Sequence, residues 1–150
     1  MSIFTRKYTD LNRALDEVRS VLEKWSAAQK KGSAPKAETV RYTQLVLHEW
    51  IANLLQHADF RDRTPTVEIR LSCKNRHIIC VVTDNSEGFD LGERLPDEEE
   101  IMDDLPERGM GLRIINACTD SLSYTSTEAG HYRFEFSIPA DHDPWLSMLF

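Results

Sequence analysis

Two polar residues, Glu49 and Asn53, stand four positions apart in a stretch whose apolar residues recur at helical spacing. They therefore share one side of the expected helix, beside a face that carries Trp50 and Leu54. A carboxylate next to an amide suits a general base beside a ligand for Mg²⁺, because Mg²⁺ prefers hard oxygen donors. An exposed helix surface carries the same pair, so the spacing alone leaves both interpretations open.

A third candidate, Asp84, ends the most apolar run of the chain and precedes a polar turn that contains Gly88. A carboxylate at the end of a buried strand needs a donor partner, and the exocyclic amine of adenine is one such donor. An aspartate that caps a turn produces the same local pattern. The local sequence therefore leaves both interpretations of Asp84 open.

Two glycines, Gly109 and Gly111, precede a segment with helical periodicity. Glycines at the start of a helix let backbone N–H groups approach a phosphate, which the helix dipole also attracts. Arg108 and Arg113 flank the pair and carry the charge that phosphate requires. Taken singly, an ordinary turn between a loop and a helix explains the two glycines as well.

Two other chemistries find less support. His48 and Glu49 match the start of the zinc-protease motif HExxH, but Ala52 stands where the second histidine is required. The cysteines form no CxxC pair and are expected to be reduced and mostly buried, as in a reducing compartment. They are Cys73, Cys80 and Cys118.

The elements that carry these residues predict a single α+β domain. Two helices precede two strands, and a third helix precedes a final strand pair, which is typical of a two-layer sandwich with helices on one face of a mostly antiparallel sheet. The expected strands cover 2–8, 66–73, 78–82, 122–126 and 131–138, and the expected helices cover 10–31, about 35–58 and 110–118. The domain is expected to span 1–139, with 140–150 as a tail.

Charge and hydropathy exclude several function classes. The chain holds 25 acidic and 18 basic residues, a net charge of −7 that disfavours direct binding of nucleic acid. Apolar runs are too short for a membrane span and the N-terminal residues do not form a signal-peptide core, so we expect a cytoplasmic protein without membrane attachment. Residues 84–107 hold eleven acidic residues and one arginine, which alone is typical of a solvated loop.

The three motifs, taken in order, resemble the ATP-binding domain that gyrase-type ATPases share with histidine kinases. Proteins with this domain form the histidine-kinase-like ATPase superfamily. The resemblance is greatest to the bacterial anti-sigma-factor serine/threonine kinases. The N box is matched by HEWIANLLQHA, the adenine-binding box by VVTDNSEGFD, and the second glycine box by ERGMGLRII. The resemblance implies the Bergerat ATP-binding fold from the strand near residue 3 to Pro139.

The resemblance also implies roles for individual residues. Glu49 would be the base that activates the attacking hydroxyl, and Asn53 would hold Mg²⁺ on the phosphates of ATP. Asp84 would bind the adenine amine, and Gly88 would let the chain pass close to the base. Residues 89–108 would form a lid over ATP. The phosphates would lie against the second glycine box, at Arg108, Gly109, Met110, Gly111 and Leu112.

Two positions depart from the family pattern. Ser86 stands where the family usually has its first glycine, which is tolerable only if the φ angle of Ser86 is negative. The sequence Gly130-His131-Tyr132 lacks the threonine that often follows the late glycine, so one contact on the adenine side is in question.

The function that the resemblance implies is an ATP- and Mg²⁺-dependent protein serine/threonine kinase in a partner-switching pathway. Such a protein binds a sigma factor, phosphorylates a small antagonist protein and can form a homodimer. An alternative is a nucleotide-gated binding module that sequesters a partner without efficient phosphotransfer. The catalytic fragment of a histidine kinase is disfavoured, because a single helix over 10–31 leaves no room for a phosphoacceptor hairpin.

The last segment, 145–150, falls outside the resemblance and contains five large apolar residues among six. We expect it to fold back over an apolar strip of the domain, or else to dock on a partner or on a second copy of the chain.

Overall fold

A five-stranded antiparallel sheet forms one layer of the computed structural model, which describes residues 3–30, 32–88 and 110–140. Its strands are β1 (Phe4–Tyr8), β2 (Val67–Lys74), β3 (His77–Asp84), β4 (Ser121–Ser126) and β5 (Tyr132–Ile138). They lie in the order β1-β2-β3-β5-β4, and each pair of neighbours is antiparallel. The third strand is therefore the centre of the sheet, and its last residue, Asp84, lies between Val67 on one side and Tyr132 on the other.

Three helices are seen in the described ranges: α1 (Leu11–Ala27), α2 (Ala37–His57) and α3 (Met110–Cys118). The first begins where expected, because the carboxylate of Asp10 accepts hydrogen bonds from the backbone N–H groups of Asn12 and Arg13 at 3.0 and 3.4 Å. It ends earlier than the predicted residue 31. The chain turns from Ala28 onward, and the positive φ of Gly32, 96°, belongs to the connection that follows.

The core lies between the helices and one face of the sheet. Alternate residues of β2, β3 and β5 are buried, as in strands that turn one face to the core. The indole of Trp50 on α2 stacks on the ring of Phe134 on β5, with centroids 3.9 Å apart and planes only 10° from parallel. This contact fixes α2 over the middle of the sheet. Because α2 carries Glu49 and Asn53, the stack also holds the helix that bears both residues against β3 and β5.

The connections follow their local sequence. Asn75 and Arg76 have φ angles of 52° and 64°, as a two-residue hairpin turn of type I′ requires, and they join β2 to β3 with Lys74 opposite His77. All three cysteines are free. Burial raises the pKa of the Cys118 thiol to about 11, which keeps it protonated and unreactive. Within the described ranges, the helices are too short or too polar to cross a membrane.

Candidate functional site

Asp84 lies at the end of the central strand, and within the described ranges one of its carboxylate oxygens is unpaired. The residue is 1% exposed. Its Oδ1 accepts two hydrogen bonds from Ser86, one from the backbone N–H at 2.9 Å and one from the hydroxyl at 2.5 Å. Its Oδ2 is buried and has no hydrogen-bond partner among the described residues. A buried acceptor without a partner is costly, so the site is suited to a ligand that brings a donor.

The charge state of Asp84 is set by two opposing effects. Burial raises the pKa of the carboxyl group, while the two hydrogen bonds from Ser86 and the electrostatic interaction with His131 lower it. Burial is the larger effect. A ligand donor at Oδ2 would favour the ionised form further, since it would replace the water that burial has removed.

The turn after Asp84 passes very close to an aromatic ring. Gly88 has a φ of 75°, and a Cβ atom placed on it would lie 2.3 Å from Cζ of Tyr132. Glycine is therefore required for two reasons, the backbone angle and the contact with the ring. Ser86 is not among the residues with positive φ, so the condition for replacing the family's glycine by serine is met.

A set of hydrogen bonds and ion pairs joins this turn to the loop that follows α2. The side chain of Asn85 accepts from one backbone N–H of the loop and donates to one of its carbonyls, at 2.8 and 2.9 Å. The backbone N–H of Glu87 donates to another loop carbonyl at 2.8 Å, and its carboxylate pairs with two arginines. The loop partners are Asp59, Arg61, Arg63, Thr64 and Thr66. These contacts couple the end of α2 to the end of β3, and they were not predicted from the sequence.

Glu49 and Asn53 lie on α2, both half-buried. The Nδ2 atom of Asn53 is buried and has no hydrogen-bond partner among the described residues, so the amide is desolvated but not engaged. This helix packs against both α3 and β3. The two residues are thus held on an element that contacts the strand ending in Asp84, although no hydrogen bond joins them to Asp84 in the described part of the chain.

A row of aromatic rings connects α2 with the turn at Gly88. Trp50 meets Tyr124 edge to face at 5.3 Å, and Tyr124 stacks on Tyr132 at 5.2 Å. Tyr132 in turn lies against Gly88. This row was not predicted from the sequence. The available signal was the alternation of aromatic residues in β4 and β5, which places Tyr124, Tyr132 and Phe134 on one face of the final hairpin.

Part of the expected phosphate site is described. The backbone of Met110, Gly111 and Leu112 forms the first turn of α3, as predicted, and the N–H groups of a first helical turn favour an anion. Arg108 and Gly109 lie outside the described residues. So do the predicted lid at 89–108 and the apolar segment at 145–150.

Comparison with known proteins identifies the family. The model of the histidine kinase-like ATPase domain matches residues 8–132. This chain belongs to the histidine kinase-like ATPase domain family. The matched range takes in the N-box helix, the Asp84 turn and α3, so the resemblance is confirmed at the level of the superfamily, a family of ATP-binding domains.

The fold of this ATPase domain also matches solved structures. One is the catalytic domain of the histidine kinase ThkA in a nucleotide-free form, with a TM-score of 0.52 and 14% identity. The match covers 93% of this chain and 98% of that one. At this identity the likeness establishes the fold alone. Among curated proteins, none matches the sequence.

The free polar atoms of this ATPase domain fit Mg·ATP. Asp84 Oδ2, which has no hydrogen-bond partner among the described residues, is an acceptor suited to the adenine amine. The side-chain oxygen of the half-buried Asn53 is the type of ligand that Mg²⁺ prefers, so this residue would hold the ion. In the described ranges no group of three or more His, Cys, Asp or Glu side chains can hold a metal by itself. A metal ion here would therefore depend on nucleotide phosphates for the rest of its ligands.

Proposed function

We propose that this ATPase domain is an ATP- and Mg²⁺-dependent protein serine/threonine kinase. The observation that carries the proposal is the Oδ2 atom of Asp84 at the end of β3, which is buried and has no partner in the part of the chain that the structure describes. The chain also places Glu49 and Asn53 on the overlying helix. An acceptor of this kind suits an adenine base. A carboxylate one helical turn from a metal ligand suits removal of a proton from an attacking hydroxyl.

Each residue has a separate task in the proposed reaction. Asp84 would accept a hydrogen bond from the adenine amine and so orient the nucleotide. Asn53 would hold Mg²⁺, which when bound would neutralise charge on the phosphates. Glu49 accepts the proton of a serine or threonine hydroxyl as its oxygen bonds to the γ-phosphorus. The bond between that phosphorus and the bridging oxygen breaks, and ADP leaves. The protein contributes mainly positioning and charge stabilisation.

The proposal includes a regulatory setting. The order and the residues of the three motifs support a protein that binds a sigma factor and phosphorylates a small antagonist in a partner-switching pathway. Glu49 favours phosphotransfer over mere sequestration, since a module that only binds nucleotide has no need of a base beside its metal ligand.

The test is transfer of labelled phosphate from ATP to small proteins encoded beside this one in its genome. We expect Glu49→Ala to keep Mg·ATP binding and to lose phosphotransfer by roughly 10²–10⁴-fold, the usual contribution of a positioned base. Asn53→Ala should weaken the Mg²⁺-dependent part of nucleotide binding. Glu38→Ala, which removes an exposed carboxylate from the first turn of the same helix, is the matched control and should change neither.

The chemistry of the product separates the alternatives. Phosphoserine and phosphothreonine survive acid, whereas phosphohistidine does not, so an acid-labile product would refute the serine/threonine assignment. Normal transfer by Glu49→Ala would show that Glu49 is structural. Tight Mg·ATP binding with no transfer to any candidate would instead support the binding module.

A further inference from the structure

Ser86 makes three hydrogen bonds inside the turn. It is 1% exposed. Its backbone N–H and its hydroxyl both donate to Oδ1 of Asp84, and its hydroxyl oxygen accepts from the backbone N–H of Gly88 at 3.1 Å. A glycine at position 86 would keep only the first of these three bonds. The other two exist because this chain has a serine there.

The three bonds determine which oxygen of Asp84 is available. Two donors on Oδ1 restrict rotation of the carboxylate and satisfy that oxygen, while Oδ2 remains buried without a partner among the described residues. The hydroxyl of Ser86 also counteracts burial, which raises the pKa of Asp84. These bonds therefore partly offset the effect of burial and support the ionised state, in which Oδ2 accepts a hydrogen bond and cannot donate one.

The turn that holds Ser86 has little freedom to move. Gly88 is backed by the ring of Tyr132, and the intervening Glu87 is bound through its N–H to the carbonyl of Asp59. A shift of the Ser86 hydroxyl would therefore have to displace either the aromatic ring or the loop after α2. The serine is part of a rigid support, and this rigidity extends to the Asp84 carboxylate that it binds.

We propose that Ser86 is a specificity-determining positioning residue, which occupies Oδ1 of Asp84 and leaves Oδ2 to select a base with an amine donor. This rests on the proposed ATP site. A base with a carbonyl at the same position would place two acceptors against each other. A base with neither group would leave Oδ2 unpaired.

The test compares nucleotides that differ at one group of the base. Calorimetry would measure binding of Mg·ATP and of the Mg²⁺ complex of purine riboside triphosphate, which lacks the amine. For the unmodified protein we expect ATP to bind at least about tenfold more tightly. In Ser86→Ala the ratio should shrink to about threefold or less, because Asp84 loses the hydroxyl donor on Oδ1 and can rotate to share its oxygens with the backbone N–H groups of residues 86 and 88. Ser86→Cys, a similar shape with a weaker donor, should lie between the two.

A matched control separates positioning from a general loss of structure. Thr43→Val removes another buried hydroxyl, which donates to the carbonyl of Thr39 at 2.8 Å within α2, and should leave the ratio unchanged. A loosened fold would weaken both nucleotides alike, so the ratio reports on the base contact alone. If Ser86→Ala does not fold, Ser86→Cys decides the question.

The outcomes separate the inference from the function on which it rests. If a folded Ser86→Ala or Ser86→Cys variant keeps the full affinity ratio of ATP to purine riboside triphosphate, the role of Ser86 is refuted while the ATP site stands. If the unmodified protein binds both nucleotides equally, the Asp84 assignment fails and the inference fails with it. If it binds neither, the ATP site itself is refuted.

Discussion

Replacing Gly88 by alanine tests the tightest contact of the candidate site. The new methyl group would sit on a backbone with φ of 75° and would lie 2.3 Å from Cζ of Tyr132, with two further ring carbons within 2.6 Å. Ordinary contacts between carbon atoms are about 3.5–4.0 Å. The ring cannot move without disturbing its stack on Tyr124, 5.2 Å away. The substitution therefore strains the backbone and the packing at once.

The magnitude follows from these two effects. A left-handed backbone costs a non-glycine residue about 1–2 kcal/mol. Displacing the ring and its stack costs about 1–3 kcal/mol more, the range for overpacked cores. The free energy of unfolding should therefore fall by about 3 kcal/mol, which lowers Tm by roughly 6–12 °C in a domain of this size.

Gly130→Ala is the matched control. Gly130 has a φ of 80°, nearly that of Gly88, but a Cβ there would meet nothing within 4 Å. Gly130→Ala should therefore lower the free energy of unfolding by the backbone contribution alone, about 1–2 kcal/mol. The difference between the two variants in urea unfolding measures the contact with Tyr132. That difference should largely vanish when both are made in a Tyr132→Ala background. Equal destabilisation of Gly88→Ala and Gly130→Ala in the unmodified background would refute the reasoning.

Two further predictions concern Asp84 and the segment after Ala140. Because burial raises the folded-state pKa of Asp84 above its usual 3.8, the stability that protonated Asp84 contributes is present at lower pH and is lost as pH rises through the folded pKa. Unfolding free energies should therefore fall relative to Asp84→Asn between about pH 3 and pH 7, and a constant difference would contradict this. We expect removal of residues 144–150 to lower Tm at every protein concentration, because the five large apolar residues of this segment are expected to fold back over the domain. An unchanged Tm with an altered oligomeric state would indicate docking instead.

Much of the secondary structure was predictable because its signals are local. Asp10 caps α1 through N–H groups two and three residues away, and Asn75 and Arg76 form a turn that depends on their own backbone angles. Alternation in β2 likewise reflects only which residues face the core. The end of α1 was placed four residues too late, since lysines and Gly32 mark a helix end without fixing the last turn.

The site was predictable as a set of residues but not as an arrangement. Motif order associated Glu49 and Asn53 with Asp84, and helical spacing placed the first two on one side of α2. Whether the amide of Asn53 is desolvated depends on the packing of α2 against α3 and β3, elements far away in sequence. Spacing carries no information on burial by distant elements.

By itself, the sequence of this protein determined the helices, the strands and the identity of the glycine-bearing turns, because each depends on neighbours within a few residues. The tertiary structure alone decided that β5 inserts between β3 and β4, which brings Tyr132 opposite Asp84 and against Gly88. That contact joins residues 44 positions apart in the chain. The contact forms because the aromatic rings of the last hairpin lie on the face of the sheet that the helices cover. There they pack beneath Trp50.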